Sequence, residues 1–270
     1  MTISILGCGW FGRGLAMQLL KYGHQVNGST TTAAGSARLP EYGISPYVVD
    51  LRDRRPSARA FFSCDALVVS LPASKILEFP ETMAHLLEIT EALRVPKLIF
   101  ISSTSVYGHP NRDVDEDWQP TPDTDKGRAL RSAENAIAEG MANSIILRFG
   151  GLVGPGRSPE KFIGKSASMK GGETPVNLIH LVDCVNIATL LIEGSWINMT
   201  INAVSPHHPS RADLYTQAAR LAGRPVPQFP MDTSGWKIVR SKYVSPLLAY
   251  RFEVDNWFEW LNGQGRLTGF

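Results

Sequence analysis

Near the start of the chain, Gly7-Cys8-Gly9-Trp10-Phe11-Gly12 has the residue types and spacing to hold a diphosphate. In a G-x-G-x-x-G turn the first glycine allows a tight bend. The second lets the backbone approach the phosphates, and the third lets the next helix pack close to the strand. Trp10 and Phe11 lie in the turn, and the helix that follows it turns its free N–H groups and positive dipole end to the anion. A dinucleotide with two free ribose hydroxyls is usually met by an Asp or Glu about 20 residues further on. Here that region reads Ser29-Thr30-Thr31-Thr32 and has no acid. Thr30 and Thr31 leave room for a 2′-phosphate, which Arg13 and Arg38 are placed to neutralise. The cofactor expected is therefore NADP, with NAD allowed. Further along, Ser102, Ser103 and Tyr107 follow an apolar run. Hydroxyls and a phenol are groups that bind a reacting oxygen and move its proton.

Such groups must be positioned by strands that stop where the chemistry begins. Ile3-Ser4-Ile5-Leu6 precedes the glycine turn, and Leu15, Ala16, Leu19 and Leu20 follow it at helical spacing. Short β-rich runs recur at 25–29, 47–49, 66–71, 97–101, 144–148 and 200–204. They are mostly continuous rather than alternating, as in parallel strands covered on both faces. Helical stretches at 80–93, 126–139, 180–191 and 210–222 separate them, and 252–261 reads as aromatic and helix-like. This alternation predicts an α/β fold, a Rossmann-type doubly wound parallel sheet with right-handed crossovers. Ligands in that architecture sit at the carboxyl ends of strands. Asp50, Leu51, Ser70, Leu71, Pro72 and Ser102 are thus expected at the cofactor, and Ser103 and Tyr107 at the reacting atoms. Past residue 155 loop-forming glycines and prolines break the pattern. Residues 1–155 read as the dinucleotide-binding domain, and 156–270 as a smaller C-terminal substrate lobe, partly interleaved with the core.

Two segments, taken with the glycine turn, resemble the extended short-chain dehydrogenase/reductase superfamily, in particular its NAD(P)-dependent epimerase/dehydratase branch. One is Phe100-Ile101-Ser102-Ser103-Thr104-Ser105-Val106-Tyr107-Gly108 with Asp115-Glu116-Asp117. The other is Leu147-Arg148-Phe149-Gly150-Gly151-Leu152-Val153-Gly154-Pro155-Gly156-Arg157. A third, weaker match is Ile179-His180-Leu181-Val182-Asp183. The resemblance implies hydride transfer with a Ser that orients the substrate oxygen, here Ser103. It also implies a Tyr followed four residues later by a Lys. In this chain those two positions hold Lys126 and Leu130, and none of the seven tyrosines has Lys four residues on. Tyr107 is the remaining acid/base candidate. The pattern is similar to atypical members that keep the cofactor site while the catalytic residues degenerate. It implies an NAD(P)-dependent oxidoreductase or epimerase acting on a sugar, nucleotide-linked or free, or on another hydroxyl or carbonyl compound. A non-catalytic NADP-binding sensor is the alternative.

Composition narrows the rest. Lys plus Arg is 27 and Asp plus Glu is 25, a net charge of +2. That balance argues against a nucleic-acid partner. The cluster Arg52, Arg54, Arg55 and Arg59 reads as a solvated helix start. No apolar run approaches the roughly 18 residues of a membrane span, and the opening residues lack a cationic leader. Three separated cysteines fit no metal spacing, so no metal is expected, and a reduced, cytoplasmic setting is the simplest reading. The expected partner is a small-molecule substrate, and a homodimer is left open. Gly164-Lys165-Ser166 lacks the first glycine of a phosphate loop. Arg148 is expected to anchor a buried carboxylate such as Glu134, and Asp183 to cap a helix.

Overall fold

A computed structural model describes residues 1–53, 59–163, 168–232 and 234–264. Arg54, Arg55 and the 164–166 segment lie outside these. The first part runs β1 (Thr2–Leu6), α1 (Trp10–Lys21), β2 (Gln25–Thr30), α2 (Ala33–Ser36), β3 (Ser45–Val48), α3 (Arg59–Phe62), β4 (Ala66–Val69), α4 (Phe79–Ala92) and β5 (Leu98–Ser103). Then follow β6 (Arg112–Val114), α5 (Asp125–Gly140), β7 (Ser144–Phe149), β8 (Gly151–Val153), β9 (Leu178–His180), α6 (Leu181–Glu193), β10 (Met199–Ala203), α7 (Arg211–Leu221) and β11 (Lys237–Val239).

Seven strands form one parallel sheet in the order β10-β7-β5-β4-β1-β2-β3. The order reverses between β1 and β4, the switch point of a Rossmann-type sheet. Every residue of β4 and β7 is buried, which is why these strands read as unbroken apolar runs. One face packs on α1 and α6, through Leu15, Leu19, Val185 and Ile192. The other packs on α4 and α5, through Met83, Leu86, Ala133 and Ile137. Two short parallel pairs, β6 with β11 and β8 with β9, tie the later chain to loops above the sheet.

The second half of the chain enters the core directly. β10 adds the seventh strand beside β7. The buried Lys97, just before β5, donates to the carbonyls of Leu191 (2.6 Å), Ile192 (3.2 Å) and Gly194 (2.6 Å). An ammonium there satisfies carbonyls that the end of α6 leaves unpaired. Ser210 caps α7 by accepting from Asp213 N (3.0 Å) and donating to its carboxylate (2.7 Å).

Two expectations change. Asp183 is not a cap: His180 caps α6, its Nδ1 accepting from Val182 N. Asp183 lies in the first turn, fully buried, and accepts from Tyr250 Oη (2.8 Å), Glu253 N (2.7 Å) and Val254 N (3.3 Å). Those bonds draw the backbone at 253–254 away from helical pairing. The expected helix over 252–261 therefore begins only at Trp257.

Candidate functional site

A cavity of about 820 Å³ opens above the carboxyl ends of β1, β2, β4, β5 and β7. Its floor is the glycine turn. Gly7 has φ +89°, and a Cβ there would collide with the carbonyl of Ser70. Gly12 faces the protein, where a Cβ would meet Gly7 O at 2.9 Å and Ile5 Cγ2 at 3.1 Å. Gly9 differs, since a Cβ on it would meet only Gly7 O, at 4.0 Å. Its bare face borders the cavity, and no side chain caps the first turn of α1. Uncapped N–H groups beside a glycine with open space fit the diphosphate of a dinucleotide.

The structure puts Gly7, Gly9, Trp10 and Phe11 on this wall, with Thr30 and Thr31 at the end of β2. Ser70, Leu71 and Pro72 line it after β4, and Ser102 and Ser103 at the end of β5. Gly12, Arg38, Asp50, Leu51 and Tyr107 do not line it. Arg38 is exposed, and Asp50 is occupied by the Arg52 guanidinium, with Nε at 2.9 Å. That guanidinium holds the Asp50 carboxyl below the usual carboxylate range. Leu51 is buried in the core layer beneath β3 and β4.

Tyr107 is the main correction. The ring has no exposure, and its hydroxyl lies in a buried network. The single hydroxyl proton lies between two acceptors, Asn202 Oδ1 (3.0 Å) and Asp115 O (2.9 Å), and the oxygen accepts from Arg148 Nη1 (2.8 Å). Arg148 Nε and Nη2 pair with Glu134 (2.8 and 2.6 Å), and Ser102 Oγ donates to the same carboxylate (2.7 Å). Burial pushes the phenol up. A phenol sealed from the cavity has no substrate proton within reach, so it cannot serve as the expected acid/base. The Glu134–Arg148 pairing is present as expected.

Ser103 stands at the end of β5. Its Oγ accepts from Ser105 N at 3.2 Å, which fixes the side chain at the strand end on the cavity wall. Lys126 and Leu130, one helical turn apart on α5, both line the cavity. Lys75, Arg157 and Tyr215 also line it, and among the described residues no Asp or Glu does. Tyr215 comes from α7, a helix that no spacing rule linked to the glycine turn. Burial raises its phenol, while the charge of Arg211 one turn earlier pulls the other way. Cys8 sits at the start of α1 but is buried, which pushes its thiol up to about 12. It packs against Gly28, whose missing Cβ makes room for it. Among the described residues no group of His, Cys, Asp or Glu is arranged for a metal, and no helix is long and apolar enough to cross a membrane.

Comparison with known proteins bears on the family and the fold. The NAD(P)H-binding family matches residues 7–180. Protein YeeZ of Escherichia coli (strain K12) is 36% identical over 266 residues, covering 94% of this chain and 96% of that protein. Among solved structures, UDP-glucuronic acid 4-epimerase from Bacillus cereus in complex with NAD superposes with a TM-score of 0.78 at 20% identity, over 97% of this chain and 96% of that one. A functionally unknown conserved protein from Silicibacter pomeroyi DSS gives 0.80 at 21%, over 97% of both chains. At such identities these two likenesses concern the fold, whereas the family match covers well over half the sequence. The chain belongs to the NAD(P)H-binding family, with the fold of the short-chain dehydrogenase/reductase epimerases and dehydratases.

Proposed function

We propose that this protein is an NADP-preferring oxidoreductase or epimerase of the atypical short-chain type, acting on a hydroxyl or carbonyl carbon of a small molecule. The observation that carries this reading is one cavity with an uncapped, glycine-floored helix start among its walls and Ser103 at the end of β5. When bound, the nicotinamide supplies the hydride acceptor or donor. Ser103 hydrogen-bonds the reacting oxygen. Tyr215 is the phenol that the wall offers for proton transfer, and Lys126 adds a positive charge at the position of the family's tyrosine. Residues 1–155 then carry most of the dinucleotide site, and 156–270 form the substrate-side lobe. A sugar, free or nucleotide-linked, is the substrate class that the epimerase-like fold supports.

The preference for NADP rests on the hydroxyl-bearing end of β2, with no carboxylate on the wall among the described residues. Arg13, beside the turn but off the cavity lining, is the proposed 2′-phosphate partner. Its guanidinium lies 5.6 Å from the Tyr42 ring centre, and its charge reaches Cys8 in the turn.

Calorimetric titration with NADPH and NADH is the first test, and both should bind, NADPH more tightly. Failure of both sinks the proposal. Nicotinamide absorbance and product chromatography over a panel of sugars, nucleotide sugars and short carbonyl compounds come next. Ser103→Ala should abolish turnover and spare cofactor affinity. A second reading, a non-catalytic sensor of the NADP pool, is favoured by Leu130 standing where a ribose-binding lysine is expected. It predicts cofactor binding with no turnover on any member of the panel.

A further inference from the structure

One cation on the cavity wall is held in place by the glycine turn itself. Trp10, the first residue of α1, donates from Nε1 to Pro155 O at 2.9 Å, across 145 residues of sequence. The Arg157 guanidinium carbon then sits 4.6 Å from the centre of the Trp10 ring. Residues 154–157 form a tight turn closed by Arg157 N to Gly154 O (2.8 Å) and Gly154 N to Arg157 O (3.2 Å). Gly154 has φ +152°, and a Cβ on it would meet Leu181 Cβ at 3.0 Å and Trp10 Cζ2 at 3.2 Å. The turn can therefore lie against the indole only with glycine at that position. Arg157 is exposed, makes no ion pair with a described residue, and lines the cavity together with Gly7 and Gly9.

A guanidinium held over an aromatic face is restrained in position, keeps its charge, and still has N–H donors to give to another partner. On the same cavity wall as an uncapped helix start, those donors are suited to a phosphate. We infer that Arg157 is a phosphate-binding residue of the cofactor site and that Trp10 is its positioning residue. The diphosphate is thus gripped from two sides, by backbone N–H groups of the first turn of α1 and by a side chain from the 154–157 turn. This rests on the cofactor reading above.

The test is a fluorescence titration of the full-length chain with NADPH at several salt concentrations. Arg157→Gln should raise Kd by about tenfold or more, the usual effect of losing a hydrogen bond to a charged group. It should also flatten the dependence of Kd on salt. Arg157→Lys should recover part of the affinity and the full salt dependence. Trp10→Leu should weaken binding comparably, and the double variant Trp10→Leu/Arg157→Gln should be little worse than either single one, because both remove the same contact. Far-UV circular dichroism of each variant checks that the fold is kept. If wild-type protein binds and Arg157→Gln binds equally well, or if the two losses simply add, the assignment is wrong. If wild-type protein binds no dinucleotide, the cofactor reading itself fails, and the two outcomes are distinguishable.

Discussion

At the scale of single residues, the most consequential group is the buried set of Ser102, Tyr107, Glu134, Arg148 and Asn202. Glu134 is fully buried and Arg148 nearly so. Removing one member of such a pair leaves the other charge stranded, which costs about 3–5 kcal/mol. Glu134→Gln should therefore lower the unfolding free energy in urea by that order. Tyr107→Phe removes only a hydroxyl and should cost about 1–3 kcal/mol. Because Tyr107 lies off the cavity, that variant should bind NADPH as the wild type does; weakened binding would return Tyr107 to the site. Arg148 and Glu134 were legible in the sequence, since a lone arginine in an otherwise apolar strand demands a carboxylate. The direction of Tyr107 was not. Its motif fixes where the backbone turns after β5, but the 3-10 turn at Thr104–Tyr107 decides which way the ring points. Tyr215 was equally hidden, because its partners on the wall arrive from distant elements.

At the scale of elements, α6 joins two groups that titrate in opposite senses. Burial lowers His180 from 6.5 to about 4 and raises Asp183 from 3.8 to about 6. The folded state binds the Asp183 proton more tightly than the unfolded state, so this group's contribution to stability falls as pH rises from about 4 to 6. His180 is the reverse: the unfolded state holds its proton more tightly, so its contribution rises as pH rises from about 4 to 6.5. In urea melts across this window, Asp183→Asn should steepen the rise of stability with pH relative to wild type. His180→Asn, which keeps a capping acceptor, should flatten it or turn it downward. Equal slopes in all three proteins would contradict both assignments. The elements themselves were largely legible, because parallel strands announce themselves as short apolar runs between amphipathic helices. What pattern reading lacked was the partner of each polar side chain. Asp183 has the right type and place for a cap, yet its acceptors serve a backbone segment 70 residues later.

At the scale of the whole molecule, the sheet is finished by a strand from the far end of the chain. β10 pairs with β7, and α6 lies against α1 closely enough that a Cβ on Gly14 would meet Val185 Cγ2 at 3.4 Å. Leu181, Val185, Ile187, Leu191 and Ile192 of α6 are all buried. At about 1.5–3 kcal/mol for each, their burial rivals the roughly 5–15 kcal/mol stability of an entire domain. A fragment ending at residue 155 should accordingly show no cooperative melt, whereas the full chain should melt in one transition by both circular dichroism and tryptophan emission. The shared sheet has a further consequence. In a chain that melts as one unit, a molecule that binds only the folded cavity is linked to the unfolding of every element. At 100 times its Kd such a ligand adds about 2.7 kcal/mol to the unfolding free energy. The melting temperature thus becomes a reaction-independent census of ligands, able to identify a substrate before any turnover has been seen.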